Sequence, residues 1–135
     1  MRLLLDTHIL LAVVNGKLDR LPMAHRQQVL DVSSDLFSST ARLWEIAIKV
    51  RLGKLELAGE IEALETTCTA FNIAVLSILP RHALTEVVPE PATRDPFDRL
   101  LLAQASVEGM RLLTLDRALI GPPFTWAPPQ EQPAP

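Results

Sequence analysis

The chain has a single cysteine, Cys68, so it cannot close an internal disulfide. A helical reading of ETTCTAF turns that thiol inward, as an inert core group rather than a reactive one. No apolar run approaches the roughly 20 residues that a bilayer-spanning helix needs. The apolar start MRLLLDTHILLAVVNG is interrupted by Asp6 and His8, and no small-x-small cleavage site follows it. The expected compartment is therefore the reducing cytoplasm. Basic residues are not in excess: 13 Lys and Arg face 16 Asp and Glu, and a formal charge of -3 argues against a general nucleic-acid coat. A glycine-rich phosphate loop, a Cys/His zinc set and a convincing Ser-His-Asp set are all missing, which speaks against covalent nucleophilic catalysis. His8, His25 and His82 stand apart from one another and read as packing or surface residues.

What is present is an ordinary globular composition, 48% hydrophobic and 21% charged over 135 residues, enough for one domain with a real core. Strand signals fall at residues 3–5, 36–38, 73–76 and 112–115, with helical stretches at 7–14, 22–32, 40–52, 60–71, 81–88 and 96–107. Asn15-Gly16, Gly53 and Gly109 punctuate the helix ends, and Pro22, Pro80 and Pro96 their starts. Strands alternating with helices predict a parallel sheet covered on both faces. The folded domain should span 1–120. Residues 121–135 carry Pro122, Pro123, Pro128, Pro129, Pro133 and Pro135 and read as a flexible tail, although residues 124–126 could dock as a short strand.

Four acids stand beside these elements. Asp6 and Asp116 close the similar runs RLLLD and RLLTLD, Glu45 lies in LWEIAIK, and Asp98 lies in DPFDRLLLAQA. Residues just past the carboxyl ends of parallel strands converge in space. Each acid also has a plainer reading. Asp6 and Asp116 make good helix N-caps, Asp98 suits a positive helix end, and Glu45 could pair with Lys49 one turn on. Asp95, directly before Pro96, is the clearest cap. The plain readings are weaker together than singly. Four carboxylates without a counterion would repel by roughly 4 kcal/mol per pair at about 4 Å and an effective dielectric of about 20. A divalent cation removes that penalty, and oxygen-only donors suit Mg²⁺ or Mn²⁺. With the four set aside, the rest of the chain carries +1, which would still admit a phosphate backbone.

LLLDTHILL, LWEIAIKVRLGKL, RDPFDRLLLAQA and LLTLDRAL, in that order, resemble the PIN-domain family and, within it, the VapC-like ribonuclease toxins of toxin-antitoxin pairs. The resemblance runs to about Leu119. It implies a three-layer α/β/α sandwich with a central parallel sheet, and an acidic quartet of Asp6, Glu45, Asp98 and Asp116 that binds Mg²⁺ or Mn²⁺ and is catalytic. It also implies supporting roles for Thr7, Ser39 and Thr114, and cleavage of a specific tRNA or rRNA to a 3′-hydroxyl and a 5′-phosphate. A cognate antitoxin and a homodimer or toxin-antitoxin hetero-oligomer belong to the same expectation, with no membrane involved. The chain departs from the pattern at Arg42, where a small residue is commoner; Arg42 could pair with Glu45 or contact RNA. The proline-rich end also replaces the commoner short final strand.

Arg42, Lys49, Arg99 and Arg117 are the candidates for RNA binding, and Arg51, Lys54 and Arg94 also lie near the acids in sequence. Two other classes compete. A phosphoacceptor domain needs an aspartate after a central strand, and IAVLSILP supplies none. A catalytically inactive interaction module on the same scaffold is the stronger rival, and the intact quartet speaks against it.

Overall fold

Leu3, Leu4 and Leu5 are each fully buried, and their side chains go to two different cores. Leu3 and Leu5 join one apolar cluster, and Leu4 joins a second. That alternation is what a strand covered on both faces must show. In the computed structural model, which describes residues 1–121 and 123–129, this strand (β1, Arg2–Leu5) lies inside a four-stranded sheet. The order is β3-β2-β1-β4, with β2 at Asp35–Ser39, β3 at Ile73–Leu76 and β4 at Arg111–Leu113. All pairings are parallel, with Leu3 opposite Leu36, Leu4 opposite Leu112 and Ser38 opposite Val75.

The described residues form six α-helices around the sheet: α1 (Thr7–Val14), α2 (Met23–Leu30), α3 (Thr40–Arg51), α4 (Leu64–Ala70), α5 (Pro80–Leu84) and α6 (Pro96–Glu108). One core contains Ile9 to Val14 of α1, Leu64 and Cys68 of α4, and Ile46 of α3. The other contains Leu101, Leu102, Ala103 and Ala105 of α6 with Ala41 of α3. The layers are therefore helix, parallel sheet, helix, as expected. The apolar segment from Ile9 to Val14 is core, not partner surface, and Cys68 is fully buried. Among the described residues no helix is long and apolar enough to cross a membrane.

Several boundaries differ from the sequence reading for local reasons. The helix expected over 81–88 is only Pro80–Leu84, because Thr85 is extended and its hydroxyl donates to the Arg81 carbonyl at 2.5 Å. Pro89 also disfavours helix at Val88. The helix expected over 22–32 stops at Leu30, where Asp31 is extended and accepts from the Ser33 amide at 2.8 Å. That over 60–71 opens as a 3₁₀ turn, Ile61–Ala63. β4 ends at Leu113 rather than 115, and just beyond it the Asp116 amide donates to the Thr114 hydroxyl at 2.9 Å instead of to a neighbouring strand.

The end of the chain comes back to the sheet. Thr125 bridges Leu112 in parallel fashion, the Leu112 amide donates to the Phe124 carbonyl at 2.6 Å, and the Trp126 amide donates to the Leu112 carbonyl at 2.9 Å. Trp126 is buried and meets His25 of α2 edge-on. Residues 124–126 thus dock as a single bridge beside β4. Of the expected flexible tail, residues 130–135 and Pro122 lie outside the described residues.

His82 of α5 is fully enclosed, with Nε2 2.7 Å from Glu108 Oε1, and Arg81 reaches the same oxygen at 2.7 Å. The pairing ties α5 to the far end of α6. The His82 and Arg81 contacts hold the Glu108 carboxyl below its usual 4.5. A lowered carboxyl pKa adds stability above the unfolded value that disappears as pH falls through the folded one. Denaturant titrations should therefore show wild type more stable than Glu108→Gln at neutral pH, with the gap closing as pH drops below about 4.5. A gap that did not change with pH would refute the assignment.

Candidate active site

Every acid in question is delivered by the start of a helix. At the end of β1 the Asp6 amide donates to the Leu113 carbonyl at 3.0 Å, extending the β1–β4 ladder. Asp6 Oδ1 then accepts from the Thr7 amide at 2.8 Å, so Asp6 caps α1. β1, β2 and β3 step one way across the sheet and β4 lies on the other side of β1, so the order reverses beside Asp6. Crevices at such reversals are where open α/β sheets bind ligands. Ser39 caps α3 by accepting from the Ala41 amide at 3.1 Å, which puts Arg42 in the first turn and Glu45 in the next. Asp95 caps α6 through the Phe97 amide at 2.8 Å, and Asp98 lies in that first turn.

These three helix starts meet at Arg42. Its Nη2 lies 2.5 Å from Asp6 Oδ1 and 2.7 Å from Asp98 Oδ1, and its Nη1 donates to Glu45 Oε1 at 2.9 Å. The arginine is only 2% exposed, and Asp6 and Glu45 are each 6% exposed. Polar neighbours hold the carboxylates in turn. The Thr7 hydroxyl donates to Glu45 Oε1 at 2.5 Å and Lys49 Nζ to Glu45 Oε2 at 3.1 Å. The Thr114 hydroxyl donates to Asp6 Oδ2 and accepts from the Asp116 amide. The Thr93 hydroxyl donates to Asp98 Oδ2 at 3.2 Å.

Asp116 is the exception among the four. Its carboxylate is exposed and caps the 3₁₀ turn Arg117–Leu119 through the Ala118 amide at 2.9 Å. It touches the cluster only through its own amide on Thr114. The structure thus brings three of the four acids together and leaves the fourth at the rim. Thr7 and Thr114 bond directly to site carboxylates, whereas Ser39 serves α3 as its cap.

Charge and burial oppose each other here. Burial pushes the Glu45 carboxyl up, but the Thr7 hydroxyl, Arg42 and Lys49 more than offset it, and the net shift is downward. Burial dominates at Asp98: despite Arg42 its carboxyl lies above the usual range, with Asp95 and Asp6 adding to the rise. For Arg42 burial disfavours the charge, and Asp6, Asp98 and Glu45 outweigh it, so the guanidinium is held more firmly protonated.

The donors offered are carboxylate and hydroxyl oxygens, the set that hard divalent cations take. Among the described residues no three Asp, Glu, His or Cys stand grouped to hold a metal ion as they are. A cation nevertheless bridges Asp6 and Asp98, and it is the Arg42 guanidinium. As a stand-in ion it marks where a divalent cation would find its oxygens, and the residues fit one if Arg42 gives way.

The basic residues divide. Arg42 is turned inward onto the acids and Lys49 is paired with Glu45, its side chain 44% exposed. Arg99 contacts Glu90 and the Thr93 carbonyl, and Arg117 is exposed. Beside α1 an open groove of about 830 Å³ is lined by Lys17, Arg20 and Lys54 together with His8, Glu56 and Leu115. Sequence reasoning did not single out Lys17 and Arg20, which stand beyond α1 from Asp6 and beside none of the four site acids. It also missed Thr93, whose one signal was its place two residues before a helix cap.

Comparison with known proteins comes to the same fold. The family model described as PIN domain matches residues 3–122. A crystal structure of VapBC2 from Rickettsia felis, bound to a DNA fragment from their promoter, contains a chain that superposes with a TM-score of 0.60 at 16% identity, covering 93% of this chain and 96% of that one. At that identity the likeness is one of fold. No curated protein matches the sequence.

Thr114 links Asp6 to the Asp116 backbone, and replacing it isosterically tests that link. Thr114→Val leaves a buried carboxylate oxygen without its O–H donor and an amide without its acceptor. Urea unfolding should show a loss of about 1–3 kcal/mol. An unchanged midpoint would mean the hydroxyl does not hold the site together.

Proposed function

Because the chain belongs to the PIN-domain family, a family of nucleases, we propose that it is a metal-dependent endoribonuclease toxin cleaving a specific cellular tRNA or rRNA. The observation that carries this reading is the meeting of Asp6, Glu45 and Asp98, from three separate helix starts, on one cationic point at the sheet's reversal. Like charge gathered in this way is costly without a counter-cation, and the carboxylate oxygens so held are a set that a divalent ion can also take.

Asp6 and Asp98 would hold Mg²⁺ or Mn²⁺ directly, with Glu45 and Asp116 binding it or orienting its waters. Bound there, the ion would supply Lewis acidity toward a water and the leaving oxygen. Thr7 and Thr114 fix the orientation of Glu45 and Asp6 by donating to them. Against its burial, the Thr7 hydroxyl, Arg42 and Lys49 hold the Glu45 carboxyl below the usual carboxylate range, which suits an oxygen donor. Lys49, Arg99 and Arg117, with Lys17, Arg20 and Lys54 along the groove, are suited to phosphate oxygens, where they give affinity without reading sequence. The products are a 3′-hydroxyl and a 5′-phosphate.

A cognate antitoxin would neutralise the site, and the chain would work in the cytoplasm as a homodimer or toxin-antitoxin hetero-oligomer. Trp44 of α3 and Leu52 at its C-cap, each 62% exposed, flank Ile48 at one-turn spacing, an apolar stripe of the sort a partner chain covers. The inactive interaction module is favoured by one observation, that Arg42 already neutralises the acids.

Incubation with total cellular RNA in Mg²⁺ or Mn²⁺, with mapping of new 5′ ends, separates the two. Discrete cuts are expected, and they should vanish with EDTA and in Asp6→Asn. Cuts that survive both controls would refute the site, and the absence of cuts on every RNA would favour the interaction module.

A further inference from the structure

Arg42 has no role in the proposed hydrolysis, yet it is the most enclosed charged side chain of the site. We propose that it is a resident counter-cation, competing with the divalent metal for Asp6, Asp98 and Glu45, so that metal loads only as the guanidinium leaves. This rests on the metal-dependent reading above and adds a built-in restraint to it.

Two features of the geometry support competition over coexistence. The Asp6 and Asp98 oxygens that a metal would take are 2.5 and 2.7 Å from the same Arg42 nitrogen, so the two cations would need the same place. Like charges that close repel strongly in a site this buried. The arginine is also imperfectly satisfied where it is: its Nε is buried with no hydrogen-bond partner. A buried donor left unpaired opposes the closed arrangement. Three ion pairs hold Arg42 in and one orphaned N–H favours its release, a balance that an incoming ion can shift.

An ion that binds only the fraction of molecules with Arg42 displaced has its affinity lowered by that fraction. Calorimetric titration with Mn²⁺ should therefore find Arg42→Gln binding at least about tenfold more tightly than wild type, with Arg42→Lys between them. Without metal, Arg42→Gln should melt lower than wild type, since Asp6 and Asp98 have lost their counter-charge and Glu45 keeps only Lys49, and Mn²⁺ should raise its melting temperature by more than it raises that of wild type. Equal affinities in wild type and Arg42→Gln would overturn the competition and leave the nuclease reading standing. Binding in neither would overturn both. Should Arg42→Gln fail to fold, arginine-labelled wild type gives the answer by NMR. The Arg42 Nε–Hε signal should move to a solvent-exchanging position as Mg²⁺ saturates the site, and a signal unmoved at saturation would sink the proposal.

Discussion

A guanidinium held by two buried carboxylates, Asp6 and Glu45, and a partly buried one, Asp98, is the interaction around which this end of the molecule is arranged. Removing charges from water is expensive, and a buried ion pair repays that cost only when its geometry is good and its remaining polar atoms are satisfied. Here the carboxylates are well served, each by a hydroxyl donor besides Arg42: Thr7 for Glu45, Thr114 for Asp6 and Thr93 for Asp98. The arginine is less well served, with Nε left over. The asymmetry suits a cluster whose acids are permanent and whose cation can be exchanged. It also accounts for the opposite shifts of two neighbouring acids. Glu45 receives Thr7, Arg42 and Lys49, while Asp98 has Asp95 and Asp6 near it, and Arg42 does not outweigh its burial.

The backbone supplies much of the precision. Asp6, Ser39 and Asp95 are N-caps, and a cap fixes both the direction of its helix and the side chains of the first turn. Placing three caps around one sheet reversal brings the residues in or just after them within reach of one another. For Asp6 the two uses coincide, since one oxygen caps α1 and ion-pairs with Arg42 while the other accepts from Thr114. Capping and site membership, alternatives when read from sequence, are the same fact at this residue.

Much of this could be read from the chain because parallel strands buried on both faces leave a plain mark. Leu3 to Leu5 and the run at Leu112 have no polar alternation, and Asn15-Gly16, Pro96 and Gly109 punctuate the helices. Glu45 was legible because an acid among Leu43, Trp44, Ile46 and Ala47 has no cheap place to go, and it is indeed buried even though it pairs with Lys49. What could not be read were facts of side-chain direction. Nothing in RLWEIAIK tells whether Arg42 faces Glu45 or solvent, and that depends on α6 arriving opposite with Asp98. Asp116 shows the same limit from the other side: its sequence setting mirrors that of Asp6, but a 3₁₀ turn instead of an α-helix follows it, and its carboxylate faces out.

The docking of residues 124–126 beside β4 matters for a property unrelated to chemistry. A strand at the margin of a sheet exposes unpaired amides and carbonyls that invite another chain to add on. β4 is three residues long with Leu112 and Leu113 buried, and Phe124 to Trp126 occupy its open side through Leu112. At the opposite margin β3 has only β2 as a partner among the described residues, and it is just four residues long. A proline-rich end that looks dispensable in sequence is in part a cover, and a chain shortened before Phe124 would present Leu112 and Leu113 as a template for self-association.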